Sequence, residues 1–189
     1  RGLMNFAFVF PGQGSQSVGM MAAYGDSAVI RETFAEASAA LGEDLWQMVA
    51  DGPAELLAQT VNTQPLMLTA GIAVYREWIA RGGAVPALVA GHSLGEYSAL
   101  VAAGALDFQD AVKLVRLRAQ AMQEAVPQGE GAMAALLGLD EAQAVEACAE
   151  AAQGEVVSAA NLNSPGQIVI AGSRAAVERA IVAAKARGA

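Results

Sequence analysis

The chain has 189 residues, 54% of them hydrophobic and 16% charged, enough to bury a substantial core in one large domain or two small ones. A formal net charge of −8 repels phosphate backbones and anionic lipid surfaces, which argues against nucleic acid or a membrane as partner. The one cysteine, Cys148, excludes an internal disulfide framework and fits a reducing cytoplasm. It shares a helical face with Ala144, Val145 and Ala152 and reads as a packed thiol.

From the N-terminus, Arg1 to Leu3 are set aside as an expression remnant ahead of Met4. Asn5 to Phe10 is an apolar, aromatic-rich run closed by Pro-Gly-Gln-Gly-Ser-Gln, the pattern of a buried strand feeding a loop. It is too short for a signal peptide's apolar region and has no cleavage pattern. Helical spacing follows over 26–42, and again over 45–59 with a break at Gly52-Pro53. Pro65 to Arg81 is predicted as a helix with Pro in its first turn and Gly82-Gly83 at its end. Its surface is apolar nearly all round, so it should be buried. None of these runs reaches the roughly 18 uninterrupted apolar residues that a membrane helix needs.

Ala87 to Ala90 is a short apolar strand that enters Gly91-His92-Ser93-Leu94-Gly95 and then an Ala- and Leu-rich helix over 96–104. Asp107, with Asp110 three residues on, can cap the helix predicted over 108–126, which Pro127-Gln128-Gly129 ends. The pattern then changes to strand (132–139), helix (141–152), strand (156–162), a turn at Asn163-Ser164-Pro165-Gly166, strand (167–172) and helix (175–187). This β-α-β-β-α order is one strand short of a split β-α-β, ferredoxin-like unit.

Gly91-x-Ser93-x-Gly95 has the spacing of a nucleophile elbow, a tight strand-to-helix turn that presents a serine at a helix N-terminus. Backbone N–H groups and the helix dipole there favour a developing oxyanion. The bare motif is weak evidence, since this spacing arises by chance in Gly- and Ser-rich chains; the apolar strand before it and the helix former after it favour the elbow over a structural tight turn. A serine hydroxyl needs a base to take its proton. His92 is the single histidine, but its side chain should leave the turn in a different direction from Ser93, so packing or hydrogen bonding behind the turn suits it better than the role of base.

On a helical wheel for 108–126 the apolar arc runs through Ala125, Ala111, Met122, Val115, Phe108, Ala119 and Val112, and Arg118 falls inside it. Lys113 and Arg116 lie outside, as solvated bases do. A buried guanidinium requires an anion, and its planar fork suits a carboxylate. Two partners fit: an internal Asp or Glu, or the terminal acid of a substrate acyl group such as malonyl.

The segments Phe8-Val-Phe-Pro-Gly-Gln-Gly-Ser-Gln16, Gln64-Pro65, Gly91-His-Ser-Leu-Gly-Glu-Tyr-Ser98, Met122-Gln-Glu-Ala-Val-Pro127, Gly131-Ala-Met133 and Asn161-x-Asn-Ser-Pro-Gly-Gln167 are a specific set spread over almost the whole chain. In them the sequence resembles the bacterial malonyl-CoA:acyl carrier protein transacylases and, more distantly, the acyltransferase domains of fatty acid and polyketide synthases. The resemblance implies an α/β fold: an α/β-hydrolase-like large subdomain (4–127) with an inserted ferredoxin-like α+β subdomain (128–189) that lacks its last strand. It implies Ser93 as the acylated nucleophile, the backbone N–H groups of Gln13 and Leu94 as the oxyanion hole, and Arg118 as the clamp on the malonyl carboxylate. Met122 would line the pocket beside it, with His92 next to the nucleophile and Asn161 and Asn163 on a small-domain hairpin along the pantetheine path.

The implied reaction moves malonyl from coenzyme A to the phosphopantetheine thiol of acyl carrier protein in cytoplasmic fatty acid synthesis, with no metal or redox cofactor. The family's catalytic His, and a Gln that orients it, have no counterpart in this chain, which is therefore expected to be a C-terminally truncated fragment with little activity alone. The complete protein is expected to be a monomer, with this chain pairing with the missing C-terminal part. Rival readings are an esterase sharing the elbow and a non-catalytic carrier-docking fragment that uses Arg174, Arg179, Lys185 and Arg187 as a basic face.

Overall fold

The computed structural model describes residues 5–189; Arg1 to Leu3 lie outside them. The chain forms two compact units that divide between Gln123 and Glu124, four residues before the boundary expected at Pro127.

In the first unit β1 (Ala7–Phe10) pairs in parallel with β2 (Leu88–Gly91), with Ala7 opposite Leu88 and Phe10 opposite Gly91. Parallel pairing needs a crossover. It is supplied by α1 (Ala28–Leu41), α2 (Leu45–Asp51), α3 (Ala54–Ala58) and α4 (Thr60–Ala80). Ser27 caps α1 by accepting from the Ile30 amide, and its hydroxyl donates to Glu77 on α4 at 2.7 Å. This bond and one from Arg81 hold the Glu77 carboxyl below its ordinary range, against the opposing effect of burial.

The helix α4 is buried all round from Asn62 to Ala70, with Leu66, Leu68, Ile72 and Ala73 in the core, but contrary to the reading of its composition its last turns expose Val74, Trp78 and Ile79. It begins at Thr60, however, five residues before the predicted start, and Pro65 sits inside it. Proline has no N–H for an i→i−4 bond. The extra turn is closed by the Asn62 and Thr63 amides, which both donate to the Gln59 carbonyl at 2.8 Å, and side chains add to it: the Asn62 amide group donates to the Leu56 carbonyl at 3.0 Å, and the Thr63 hydroxyl donates to the Gln59 carbonyl at 3.0 Å. These are bonds that local periodicity does not reveal. Edge-to-face contacts of Phe8 with Tyr75 and Trp78, at 5.8 and 5.6 Å, seat β1 on α4.

After β2 come α5 (Leu94–Ala102) and α6 (Phe108–Glu124). The Asp107 carboxylate accepts from the Asp110 amide at 3.1 Å, the predicted cap. The buried side of α6 is Phe108, Ala111, Val112, Val115 and Ala119; Met122 at its end is 53% exposed.

The second unit runs β3 (Gly131–Leu137), α7 (Glu141–Ala152), β4 (Val157–Ser164), β5 (Gln167–Ser173) and α8 (Arg174–Ala186), the predicted order. Its sheet is antiparallel in the order β3-β5-β4. Asn163 and Ser164, expected in the turn, belong to β4, and the turn is Pro165-Gly166. The core holds Leu136, Ile168, Ile170, Ala144, Val177 and Cys148. Cys148 is 3% exposed and burial raises its thiol pKa, in agreement with a packed thiol.

Candidate active site

Ser93 stands between β2 and α5 with φ 53° and ψ −117°. A non-glycine residue there costs on the order of 1–3 kcal/mol and persists only where its surroundings enforce it. The enforcement is steric. A Cβ on Gly95 would lie 2.1 Å from the Phe10 carbonyl oxygen, and one on Gly91 would lie 2.0 Å from the Gly95 carbonyl carbon. The elbow therefore closes against the end of β1 only with glycine at both positions. The loop after β1 crosses the same point, since a Cβ on Gly12 would meet the His92 carbonyl oxygen at 2.9 Å and the Ser93 Cβ at 4.0 Å. This brings Gly12 and the neighbouring Gln13 beside the serine. The backbone N–H groups of Gln13 and Leu94 have no acceptor among the described residues, so the turn carries two unspent donors.

Arg118 reaches this turn from α6. Its Nη2 donates to Ser93 Oγ at 3.0 Å and its Nη1 to Gln64 Oε1 at 2.7 Å. Its guanidinium also lies 5.5 Å from the centre of the Tyr97 ring. Of the two partners open to it, the internal acid is not present among the described residues: the ion pairs of this unit are Arg76–Glu36, Arg81–Glu77 and Arg116–Glu43. Arg118 is held by neutral oxygens, with its charge uncompensated at the serine.

Arg116, read as a solvated base, is only 16% exposed and pairs with Glu43, its two terminal nitrogens at 2.8 and 2.7 Å from the two carboxylate oxygens. The wheel placed it outside the apolar arc of its own helix, but the α1–α2 connection covers that side. Hydrogen bonding to Arg116 pulls the Glu43 carboxyl below its ordinary pKa.

His92 does not pack behind the turn. Its side chain is exposed. Met122 approaches the site through its sulfur, which accepts from Gln64 Nε2 at 3.4 Å. Asn161 and Asn163 lie on β4 of the second unit, where the register slips between Ala159 and Asn161 and again between Leu162 and Ser164. Strand bulges of this kind re-aim side chains. Within that unit Arg179 donates to the Ala151 carbonyl and Glu155, Arg187 to the Ala183 carbonyl and Glu150, and Arg174 to the Gly129 carbonyl. Three of the four charges proposed as a docking face are thus used internally.

Two polar residues were given no role by the sequence reading, which quoted Gln64 only within the Gln64-Pro65 pair and did not single out Thr60. Gln64 is 1% exposed on α4, and Thr60, one turn earlier, bonds to both Gln64 and Gln13. A glutamine within an apolar helix carried the same signal that singled out Arg118. Among the described residues no group of three or more His, Cys, Asp or Glu side chains is placed to hold a metal ion, and no helix is long and apolar enough to cross a membrane.

An α/β chain with a serine on a strained strand-to-helix turn, free amides beside it and a cation in reach has the geometry of a nucleophile elbow. The chain belongs to the acyl transferase domain family, which matches residues 7–189. It is 62% identical over 188 residues to the malonyl CoA-acyl carrier protein transacylase of Escherichia coli K12, covering 99% of this chain and 61% of that protein. A crystal structure of an acyl-carrier-protein S-malonyltransferase from Burkholderia pseudomallei superposes with TM-score 0.93 at 62% identity, covering 98% of this chain and 60% of that one. A malonyl-transacylase solved in complex with a type II PKS acyl-carrier protein superposes with TM-score 0.92 at 56% identity, covering 97% and 60%. The chain thus spans about three fifths of the length of these relatives.

Proposed function

We propose that this chain carries the nucleophile and the acyl-binding half of a malonyl-CoA:acyl carrier protein transacylase. The single observation that carries the reading is Arg118: a guanidinium with no acid partner among the described residues, 3.0 Å from Ser93 Oγ. A carboxylate on the acyl group would supply the missing charge, and a bidentate Arg–carboxylate pair would orient the thioester carbonyl over the serine.

In the first half-reaction Ser93 Oγ bonds to the thioester carbon, its proton passes to a base, and the base hands that proton to the sulfur as the C–S bond breaks, so that coenzyme A leaves as the thiol. The free N–H groups of Leu94 and Gln13 support their assignment as the oxyanion hole. In the second half-reaction the phosphopantetheine thiol of acyl carrier protein takes malonyl from the acyl-serine and returns the proton. These steps balance without a metal or redox cofactor.

His92 and Met122 are assigned to substrate binding, Met122 as lining of the pocket beside Arg118, and Asn161 and Asn163, on the bulged edge strand of the second unit, are assigned to the pantetheine. The base is assigned to the part of the relatives' length that this chain does not span. The strand order of the second unit supports a ferredoxin-like subdomain over 128–189, with the open edge of β3 available to a fourth strand, and residues 4–127 are read as the α/β-hydrolase-like part. Acyl carrier protein is the proposed macromolecular partner, the cytoplasm the proposed location, and the complete protein a monomer.

The test is acylation followed by intact mass. Incubation with malonyl-CoA should label Ser93 slowly, S93A should take no label, and turnover to carrier protein should be far below that of a complete transacylase. Labelling that survives in S93A would refute the assignment.

A further inference from the structure

The side chains between Arg118 and the loop after β1 form one hydrogen-bonded line. Arg118 Nη1 donates to Gln64 Oε1 at 2.7 Å, Gln64 Nε2 to Thr60 Oγ1 at 3.1 Å, and Thr60 Oγ1 to Gln13 Oε1 at 3.0 Å. The direction of every bond follows from its first member. Arginine has donors and no acceptor, so Gln64 must present its oxygen to it. That turns the amide nitrogen of Gln64 toward Thr60. The threonine oxygen then accepts, and its single proton is left for Gln13. Each donor polarises the next, and the chain starts at a positive charge in a site closed on one side by a 1%-exposed glutamine, conditions that strengthen such a series.

The far end of the line is the Pro11–Gln16 loop, whose residues are largely exposed. Two of its side-chain bonds are internal: the Gly14 amide to Gln16 Oε1 at 2.8 Å, and the Ser15 hydroxyl to the Gly12 carbonyl at 3.3 Å. Among the described residues, the bond from Thr60 is the one that ties a side chain of the loop to a helix.

We infer that Thr60 is a positioning residue: it transmits the orientation set by Arg118 through Gln64 to Gln13, and so holds the Gln13 backbone N–H beside Ser93. Under the acyl-transfer reading, on which this rests, the clamp for the acyl carboxylate and the second oxyanion donor are coupled. A carboxylate that draws on Arg118 acts through the line on the loop facing the thioester. The residue required at position 60 is one with a hydroxyl, since an apolar side chain of the same size can neither accept nor donate, and an amide would have to accept through its oxygen and donate through a separate nitrogen rather than through the single atom that lies between Gln64 and Gln13.

Backbone order at Gly12, Gln13 and Gly14, measured by nitrogen-15 relaxation on the 189-residue chain without ligand, tests the coupling separately from any activity. In the wild type these amides should have order parameters near the rigid value of about 0.85, and in T60V they should fall toward about 0.6 or below. T60S, which keeps the hydroxyl, should stay near the wild type. R118M, which touches neither Thr60 nor the loop, should loosen the same three amides because Gln64 is freed to turn over, while R118K, which retains donors, should loosen them less. A loop that stays rigid in T60V, loosens equally in T60S, or ignores R118M overturns the relay. Malonyl-CoA affinity, measured on the same samples, bears on the acyl-transfer reading and not on the relay.

Discussion

The two compact units both match most of their arginines internally, and they differ at one turn of the first. In the second, the arginines of α8 and its end bind carbonyls and acids of the same unit, the Asp140–Gln143 capping box closes α7, and the core is packed aliphatic side chains. In the first, Arg76, Arg81 and Arg116 are likewise paired with acids of the unit, but a strained serine, two unspent amides and an arginine on neutral partners meet at one turn. Polar groups that are mutually satisfied stabilise; groups left aimed at a common point await something from outside. The contrast recurs within α6, where Arg116 is matched to Glu43 and Arg118, half a turn on, is not matched to any acid among the described residues.

The largest break in this comparison should come from the elbow glycines. G95A would drive a methyl to 2.1 Å from the Phe10 carbonyl oxygen, and it should cost more than about 4 kcal/mol in urea denaturation, in the class of severe backbone clashes. In the second unit C148S places a hydroxyl in an apolar core and should cost about 1–3 kcal/mol, while Ser93 labelling per folded molecule stays at the wild-type level. Equal losses of labelling and stability in C148S would mean that the units are not separable in the way described.

The Arg116–Glu43 pair sharpens the contrast on α6. The Glu43 pKa is depressed in the folded state, so its contribution is present at neutral pH, above the unfolded pKa, and is lost as the pH falls through the folded value. E43Q should therefore lower stability at pH 7 by up to about 1 kcal/mol, as for a partly exposed pair, and flatten the acid limb of the stability curve. An acid limb unchanged in E43Q would contradict the linkage. The smallest effect is expected for K185Q on α8, within about 0.5 kcal/mol by denaturation; a larger loss would give that helix a role it has not been assigned.

Much of this was legible in the residues because it depends on local rules. The strand, glycine-flanked serine and helix former at 87–104 favoured the elbow over a merely structural turn, and Asp107 announced its helix. Cys148 followed from its apolar face, and Arg118 from being a charge on the wrong one. What was not legible depends on residues distant in sequence. Thr60 to Gln64 became helix through bonds to the segment before them, so Pro65 misled. Arg116 was buried by the α1–α2 connection, which a single-helix wheel omits. His92 was expected behind the turn and is exposed, and the sequence around the elbow carries no signal that separates the two. Gln64 and Thr60 gain meaning only once Arg118, more than fifty residues away, fixes the direction of their hydrogen bonds.

Titration of wild type and R118A with malonyl-CoA and acetyl-CoA by calorimetry addresses the unpaired guanidinium most directly. Removing a charge-assisted bidentate contact of about 1.5–3 kcal/mol should weaken malonyl-CoA binding by roughly 10- to 150-fold and leave acetyl-CoA within about twofold. Equal weakening of both, or of neither, would mean that Arg118 does not read the acid of the acyl group.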